Sequence, residues 1–294
     1  MRWEGNRQSD NVEDRRSEGY SGGGGGMLGG RTIGIGTIVI ALVAWGVFGI
    51  NPLTTIGVLS GGGGSPAVQQ QQGPAQKPPA SDQQAAFVST VLANTEDVWS
   101  QVFQQAGARY VAPKLVLYRG ATPTACGTGQ SAMGPFYCPQ DQKVYLDMGF
   151  FDTMQRQLGA PGEFARAYVI AHEVGHHVQN LQGLTDKVDS LRGRVSQAQQ
   201  NALSVRLELQ ADCYAGIWAH YSQESKKWLD PNDIASAMNA AHQIGDDTLQ
   251  KEHQGYVVPD SFTHGSSAQR QRWFMQGYQS GSVKSCDTFS SQNI

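Results

Sequence analysis

The chain has 294 residues, which leaves room for one domain of ordinary size together with additional segments. Its formal net charge is −3 and hydrophobic residues make up 39% of it, so the composition does not favour nucleic acid or another polyanion as a partner. No ionisable side chain lies between Arg31 and Lys77. This window and the region after it therefore need separate interpretations.

An apolar stretch at residues 33–50, "IGIGTIVIALVAWGVFGI", dominates the uncharged window, and "NPLTTIGVL" extends it. It is long enough to cross a bilayer as a helix. Glycine-rich flanks offer a buried soluble helix nothing to pack against. A cleaved signal peptide would have a shorter apolar region and an Ala-x-Ala-like site. We therefore predict a single transmembrane anchor at residues 32–59.

Basic residues are concentrated before the apolar stretch, and they set the predicted orientation. Lysine and arginine favour the cytoplasmic side of a membrane. We therefore predict a cytoplasmic N-terminal segment at residues 1–31, a Gly/Pro/Gln-rich linker at residues 60–80, and a folded domain at residues 81–294 that faces the periplasm or the exterior. The arginines before the stretch are Arg2, Arg7, Arg15, Arg16 and Arg31.

The four cysteines show no C-x-x-C spacing of the kind that zinc sites and redox motifs use. In an oxidising compartment they can form two disulfides. We favour Cys126–Cys138, which closes a local loop, and Cys213–Cys286, which ties down the C-terminus. Four reduced and buried thiols are the alternative.

The predicted order of elements is a helix, a small sheet and then several helices, which is an α+β plan. The first helix has a Ser or Asp at its start and Gly107 at its end, and a later one has Asp230 as cap and Pro231 as first residue. The predicted helices cover residues 81–107, 161–183, 195–222, a segment from 230 and a last one after 264, and the predicted strands lie at 114–120 and within 136–148.

The segment "AHEVGHHVQN" at residues 171–180 contains an H-E-x-x-H motif on the predicted helix. Residues four apart share a helix face, so His172 and His176 can bind one zinc ion. Glu173 points about 100° away and can take a proton from a water activated by that zinc. Two core histidines are the alternative, and each would need a hydrogen-bond partner. His177 points elsewhere and is predicted to be a surface or packing residue.

A catalytic zinc needs a third protein ligand and one position open to water. We favour Glu208, which lies on the later helical segment "SVRLELQADCYAGIWAH". Gly175 costs its helix about 1 kcal/mol relative to alanine, which predicts close passage of another backbone, that of the helix with the third ligand. The remaining candidate ligands are Asp212, His242, His253 and His264.

Asp212 lies one turn after Glu208 and is predicted to accept the outer N–H of a zinc-bound histidine. A solvated face that includes Arg206 is the alternative for these two acids, although their neighbours are mostly apolar.

Two longer runs carry a resemblance to known families. "HEVGH" followed by "ELQADCYAG" is similar to the E-x-x-x-D pattern of gluzincin peptidases. "AYVIAHEVGHHVQN", "LELQADCYAGIWAH", "IGDD" and "SFTHGSSAQRQRWF" together resemble the bacterial neutral zinc metallopeptidase family of YpfJ-like proteins, over essentially the whole chain. The resemblance implies a zincin-like fold, Zn²⁺ on His172, His176 and Glu208, and Glu173 as catalytic base. It also implies a location in the bacterial inner membrane.

"THGSSAQR" is similar to the Thr-His-Pro-x-x-x-x-Arg segment of membrane gluzincins related to HtpX, with Gly265 in place of the proline. This likeness implies that His264 stabilises the oxyanion and that Arg270 pairs with Asp212 or Glu208. A loop histidine and a surface arginine are the alternatives. The sequence leaves two interpretations of the "IGDD" segment at residues 244–247, a helix cap and a second cation site.

The sequence predicts a membrane-anchored zinc metallopeptidase, an endopeptidase acting on a peptide or protein substrate. The segment "KVYLDMGFF" at residues 143–151 suits an edge strand that pairs with an extended substrate, or a plain structural strand. A non-catalytic, zinc-stabilised envelope module and an amidase of cell-wall peptides are the rival functions. The substrate and the oligomeric state are left open.

Overall fold

A computed structural model describes residues 1–18, 76–130, 134–156, 162–292 and 294. This part of the chain is mostly helical with a small sheet, which confirms the α+β plan. The strands are β1 (Val12–Asp14), β2 (Lys114–Tyr118), β3 (Ala121–Thr124), β4 (Gly127–Gln130), β5 (Phe136–Cys138) and β6 (Lys143–Asp147). The α-helices are α1 (Gln83–Gln105), α2 (Gly149–Arg156), α3 (Glu163–Leu181), α4 (Leu184–Asp189), α5 (Gln197–Lys226), α6 (Asp233–Gln243), α7 (Asp246–Gln254) and α8 (Ser267–Ser280), and 3₁₀ turns cover Pro259–Ser261 and Val283–Cys286.

The main sheet has the strand order β1-β2-β6-β5, and β3 and β4 form a separate hairpin. β1 and β6 pair with β2 in parallel, whereas β5 pairs with β6 antiparallel. Of the two alternatives for residues 143–151, the edge strand is therefore wrong and the plain structural strand is confirmed for Lys143–Asp147, because β6 lies between β2 and β5 and residues 149–151 belong to α2. The edge on this side is β5.

The other edge strand, β1, comes from the N-terminal eighteen residues. Val12 and Trp3 are buried in the core. Glu13 lies 2.9 Å from Lys143 Nζ and 3.1 Å from Lys114 Nζ. Burial alone would raise the pKa of Glu13, but these two ammonium groups lower it. Residues 1–18 are therefore part of the folded unit.

This placement differs from the predicted separation of residues 1–31 from the domain at 81–294. A three-residue strand in a charged leader has no periodicity from which to predict it. The predicted anchor at 32–59 lies outside the described residues. Among the residues that the structure describes, no helix is long and apolar enough to cross a membrane.

α1 is the first long helix of the core. Asp82 caps it by accepting a 3.0 Å hydrogen bond from the Ala85 N–H, as the sequence predicted. Its buried face holds Trp99, which is fully buried. Asn94 accepts a 2.8 Å hydrogen bond from Trp218 Nε1, so that α1 is tied to α5 as well as packed against it.

The helices α3 and α5 cross at a glycine. A Cβ at Gly175 would lie 3.0 Å from the Ala211 carbonyl oxygen and 3.1 Å from its Cα, so only glycine allows this approach without a shift. The predicted close passage of the helix that carries Glu208 is confirmed. α5 and α8 approach more closely still, since a Cβ at Gly277 would meet the Cys213 carbonyl carbon at 2.8 Å.

Both predicted disulfides are confirmed. The sulfurs of Cys126 and Cys138 lie 2.01 Å apart, and those of Cys213 and Cys286 lie 2.00 Å apart. The first pair joins the turn between β3 and β4 to the end of β5, and the second ties the C-terminus to α5.

The predicted start of α6 needs a correction. Its cap residue is Asn232 and its first residue is Asp233, whereas the sequence favoured Asp230 and Pro231. The side chain of Asp230 is instead engaged by Arg2, with Nε 3.0 Å from Oδ1. Asp230 thus binds the N-terminal segment instead of capping α6, and the local sequence does not show this distant partner.

Candidate metal centre

Two imidazoles and a carboxylate meet where α3 crosses α5. The ligand atoms of His172, His176 and Glu208 all lie within 4.8 Å of one another. His172 Nε2 is 3.1 Å from Glu208 Oε2, and His176 Nε2 is 3.4 Å from Glu208 Oε1. Bonds of about 2.0–2.2 Å to a tetrahedral zinc separate two ligand atoms by about 3.3 Å. The spacing and the N, N, O donor set therefore fit zinc.

The outer nitrogen of each imidazole has its own acceptor. His172 Nδ1 lies 2.9 Å from Asp212 Oδ1, and His176 Nδ1 lies 2.9 Å from Gln179 Oε1. An acceptor at Nδ1 fixes the proton there and leaves the Nε2 lone pair for a metal. Both rings are thus held with Nε2 toward Glu208 by groups on the same two helices, an orientation that suits a metal site.

Asp212 is fully buried and is surrounded by donors. Arg270 Nε donates to its Oδ2 at 2.8 Å, Arg270 Nη2 lies 3.0 Å from its Oδ1, and the Tyr168 hydroxyl donates to Oδ1 at 2.5 Å. Burial alone would raise the pKa of Asp212, but the charge of Arg270 and the hydrogen bonds from His172 and Arg270 lower it. Asp212 therefore stays ionised behind the ring that it orients.

Glu173 lines the same cavity as the three ligand side chains and is 7% exposed. Burial raises its pKa, and the neighbouring His172 and His176 partly oppose that effect. A carboxylate in this environment is a stronger proton acceptor than one in water.

His264 reaches the cavity from the loop before α8. Its ring is held at one nitrogen, since Nδ1 lies 3.0 Å from Thr263 Oγ1 and 3.3 Å from Asp246 Oδ1. Burial would lower the pKa of His264, but the hydrogen bond and charge of Asp246 and the charge of Glu208 raise it.

The cavity has a volume of about 460 Å³ and opens to solvent, so a substrate segment can reach the centre. Its lining combines the polar side chains of the centre with apolar side chains, a composition typical of sites that bind organic ligands. The apolar side chains include Phe136, Phe150, Val169, Leu207, Ile244 and Leu249.

Residues 1–289 match the protein family described as "Putative neutral zinc metallopeptidase". The chain belongs to this family. Within it, the chain is 52% identical over 292 residues to "Uncharacterized protein YpfJ" of Escherichia coli K12, which covers 98% of this chain and 99% of that protein. It is 45% identical over 197 residues to "Uncharacterized protein Mb2605" of Mycobacterium bovis and "Uncharacterized protein Rv2575" of Mycobacterium tuberculosis, covering 63% of this chain and 65% of each relative. No solved structure matches the chain.

In this neutral zinc metallopeptidase family member, the structure brings most of the predicted site residues together. His172, His176 and Glu208 converge, and Arg270 lies on Asp212. Of the other candidate ligands, His242 is outside the three-residue cluster and the side chain of His253 is not described.

The sequence did not predict the hydrogen bond between Gln179 and His176, although the position of Gln179 three residues later on the same helix is a usable signal.

His177 is fully buried, so of its two predicted roles the packing role is confirmed. Its Nδ1 lies 2.9 Å from the Tyr137 hydroxyl and its Nε2 lies 2.7 Å from the Val111 carbonyl oxygen, so it packs α3 against β5.

Proposed function

We propose that the protein is a zinc-dependent metallopeptidase that hydrolyses peptide bonds, with zinc held by His172, His176 and Glu208. One observation carries this proposal. Both imidazoles present Nε2 to the same carboxylate while their Nδ1 atoms are bound to acceptors. Two core histidines would have no need of this arrangement, and the family description agrees with it.

Zinc bound here would supply Lewis acidity, which makes a water nucleophilic near neutral pH and polarises the scissile carbonyl. Glu173 accepts the proton of that water on a carboxylate oxygen and passes it to the leaving amine. Asp212 keeps His172 in the ligand tautomer, and Arg270 balances the Asp212 charge. His264 donates to the oxyanion of the tetrahedral intermediate.

The edge strand β5 supports a peptide as substrate. Tyr137 of β5 lines the cavity, and its hydroxyl is held by Asn180 Nδ2 at 3.0 Å and by His177 Nδ1 at 2.9 Å. An exposed strand edge binds an extended peptide through backbone hydrogen bonds. A sheet edge beside the metal helix also agrees with a zincin-like fold, which is part of this proposal.

The experiment that tests the function is Glu173→Gln in the full chain. We expect the variant to bind one zinc per chain, as the parent does, and to lose about 10²-fold or more in cleavage of a peptide library. Zinc is measured by atomic emission and cleavage by mass spectrometry. If zinc-loaded parent and variant are equally inert on the library, the metal is structural and the chain is an interaction module.

The membrane association of residues 32–59 and the bacterial inner-membrane location stay predictions, whereas a cytoplasmic segment at residues 1–31 opposite an external domain at 81–294 conflicts with the pairing of β1 and β2. A location outside the cytoplasm is proposed for the described domain because its two disulfides persist best in an oxidising compartment.

A further inference from the structure

The segment "IGDD" at residues 244–247 contacts the loop that carries His264. Asp246 Oδ2 accepts three consecutive backbone N–H groups, from Thr263 at 2.7 Å, His264 at 2.7 Å and Gly265 at 3.0 Å. The Asp246 N–H in turn donates to the Gly265 carbonyl oxygen at 2.9 Å. One side chain thus fixes the backbone of the whole turn.

The second oxygen of the same carboxylate faces the imidazole. Asp246 Oδ1 lies 3.3 Å from His264 Nδ1, and the Asp246 side chain is only 12% exposed whereas the His264 side chain is 51% exposed. Nδ1 and Nε2 lie on different edges of the ring, so Asp246 and Thr263 hold the ring at Nδ1 and do not occupy Nε2, and the residue lines the cavity. These contacts occupy both carboxylate oxygens, which argues against the second cation site that the sequence left open.

The loop is also held against the helix that carries the third ligand. Gly265 has a φ of +95°, a conformation that proline cannot adopt, which explains why the Thr-His-Pro pattern is broken at this position. A Cβ on Gly265 would lie 3.1 Å from Cδ2 of Leu209, the residue that follows Glu208 on α5. The turn that carries His264 is therefore packed against α5 beside Glu208, and His264 lines the same cavity as the candidate ligands.

Asp247, the neighbouring acid, has a separate role that makes it a matched control. Its Oδ1 accepts from the Ser267 N–H at 2.7 Å and from Ser267 Oγ at 2.8 Å. These bonds anchor the start of α8 and do not involve the His264 ring. The two adjacent aspartates thus bind different parts of the segment that leads into α8: Asp246 binds residues 263–265, and Asp247 binds Ser267.

We propose that Asp246 is the positioning residue of His264, holding its ring with Nδ1 inward and Nε2 toward the substrate oxyanion. The carboxylate at Nδ1 also favours the doubly protonated ring, in which Nε2 is a donor. The catalytic part of this inference depends on the proposed peptidase function. The orientation and protonation of the ring are independent of it.

The kinetic test compares Asp246→Asn with Asp247→Asn in the zinc-loaded full chain. The asparagine oxygen still accepts from the loop, but the charge facing His264 is lost. We expect Asp246→Asn to lower kcat at least about tenfold, as loss of an oxyanion donor does, with KM changed less than about threefold. Asp247→Asn is expected to keep kcat within about threefold of the parent.

A double-mutant cycle shows whether Asp246 acts through His264. If it does, adding Asp246→Asn to His264→Ala lowers kcat no further than His264→Ala alone. Equal and multiplicative losses in the two backgrounds would overturn the proposal. So would an Asp246→Asn variant that matches Asp247→Asn in kcat.

A spectroscopic measurement keeps the proposal testable without any turnover. The ¹⁵N shifts of the His264 ring in the folded parent, assigned by comparison with His264→Ala, report which nitrogens carry protons. We expect Nδ1–H in the parent at neutral pH and a changed pattern in Asp246→Asn. A parent ring protonated at Nε2 alone would overturn the proposal, even if Asp246→Asn does not fold and even if no peptide is cleaved.

Discussion

Replacement of Arg270 by methionine tests whether the carboxylate behind the metal ligand is balanced by that arginine. Arg270 is 3% exposed and Asp212 is fully buried, so solvent cannot replace the lost guanidinium. Methionine has a similar length and fills the space with an apolar chain. Asp212 would keep its contacts with His172 and Tyr168 but would lose both hydrogen bonds from the arginine.

The expected magnitude follows from that burial. Removal of one partner from a buried ion pair costs about 3–5 kcal/mol, because the remaining charge is uncompensated. We therefore expect Arg270→Met to lower the free energy of unfolding by about 3–5 kcal/mol, measured by urea denaturation of the zinc-loaded protein. The double variant with Asp212→Asn removes the orphaned charge, so it is expected to be more stable than the sum of the two single changes predicts.

Arg272→Met is the matched control, since Arg272 lies on the same helix and is exposed. Exposed ion pairs contribute about 0–1 kcal/mol, so the control is expected to change stability by less than about 1 kcal/mol. Equal losses for Arg270→Met and Arg272→Met would refute the reasoning. The same result would show that Asp212 is neutral or otherwise compensated in the folded protein.

Two further predictions concern packing. A chain that begins at residue 81 lacks Val12 and Trp3 of the core, so we expect its free energy of unfolding to fall by about 3–6 kcal/mol. Thermal unfolding measures this loss, and an unchanged midpoint would contradict a structural role for residues 1–18. Gly175→Ala places a Cβ 3.0 Å from the Ala211 carbonyl oxygen, so overpacking of about 1–3 kcal/mol should outweigh the helix-propensity gain of about 1 kcal/mol. Its zinc affinity, measured by competition with a chelator, should fall as Glu208 is displaced.

The parts of the fold that the sequence predicts are those with local causes. Helix α3 is bounded by glycines and carries His172 and His176 four residues apart, so periodicity and spacing are sufficient to place these two histidines. The helical segment with Glu208 follows from its own apolar pattern. Gly175 adds a long-range prediction, because a glycine inside a helix needs a steric reason.

The features that the sequence leaves open depend on contacts distant in sequence. The alternation of β6 fits both an edge strand and a plain structural strand, since strand order is set by tertiary pairing and not by the pattern of one strand. Asp246 binds backbone N–H groups seventeen to nineteen residues away, and a sequence pattern does not show backbone partners. His177 is open between the surface and packing in the sequence because nothing local identifies Tyr137 as its partner.

The pairing of β1 with β2 restricts how the chain can be threaded through a lipid bilayer. β1 precedes the uncharged window and β2 follows it, yet they are neighbours in one ladder. Neighbouring strands lie about 4.8 Å apart, whereas a hydrocarbon core is about 30 Å thick. A polypeptide that passed once through that core between Asp14 and Lys114 would leave its flanks in different aqueous phases, where this ladder cannot form. Folding of the described domain therefore requires that both flanks be delivered to the same side.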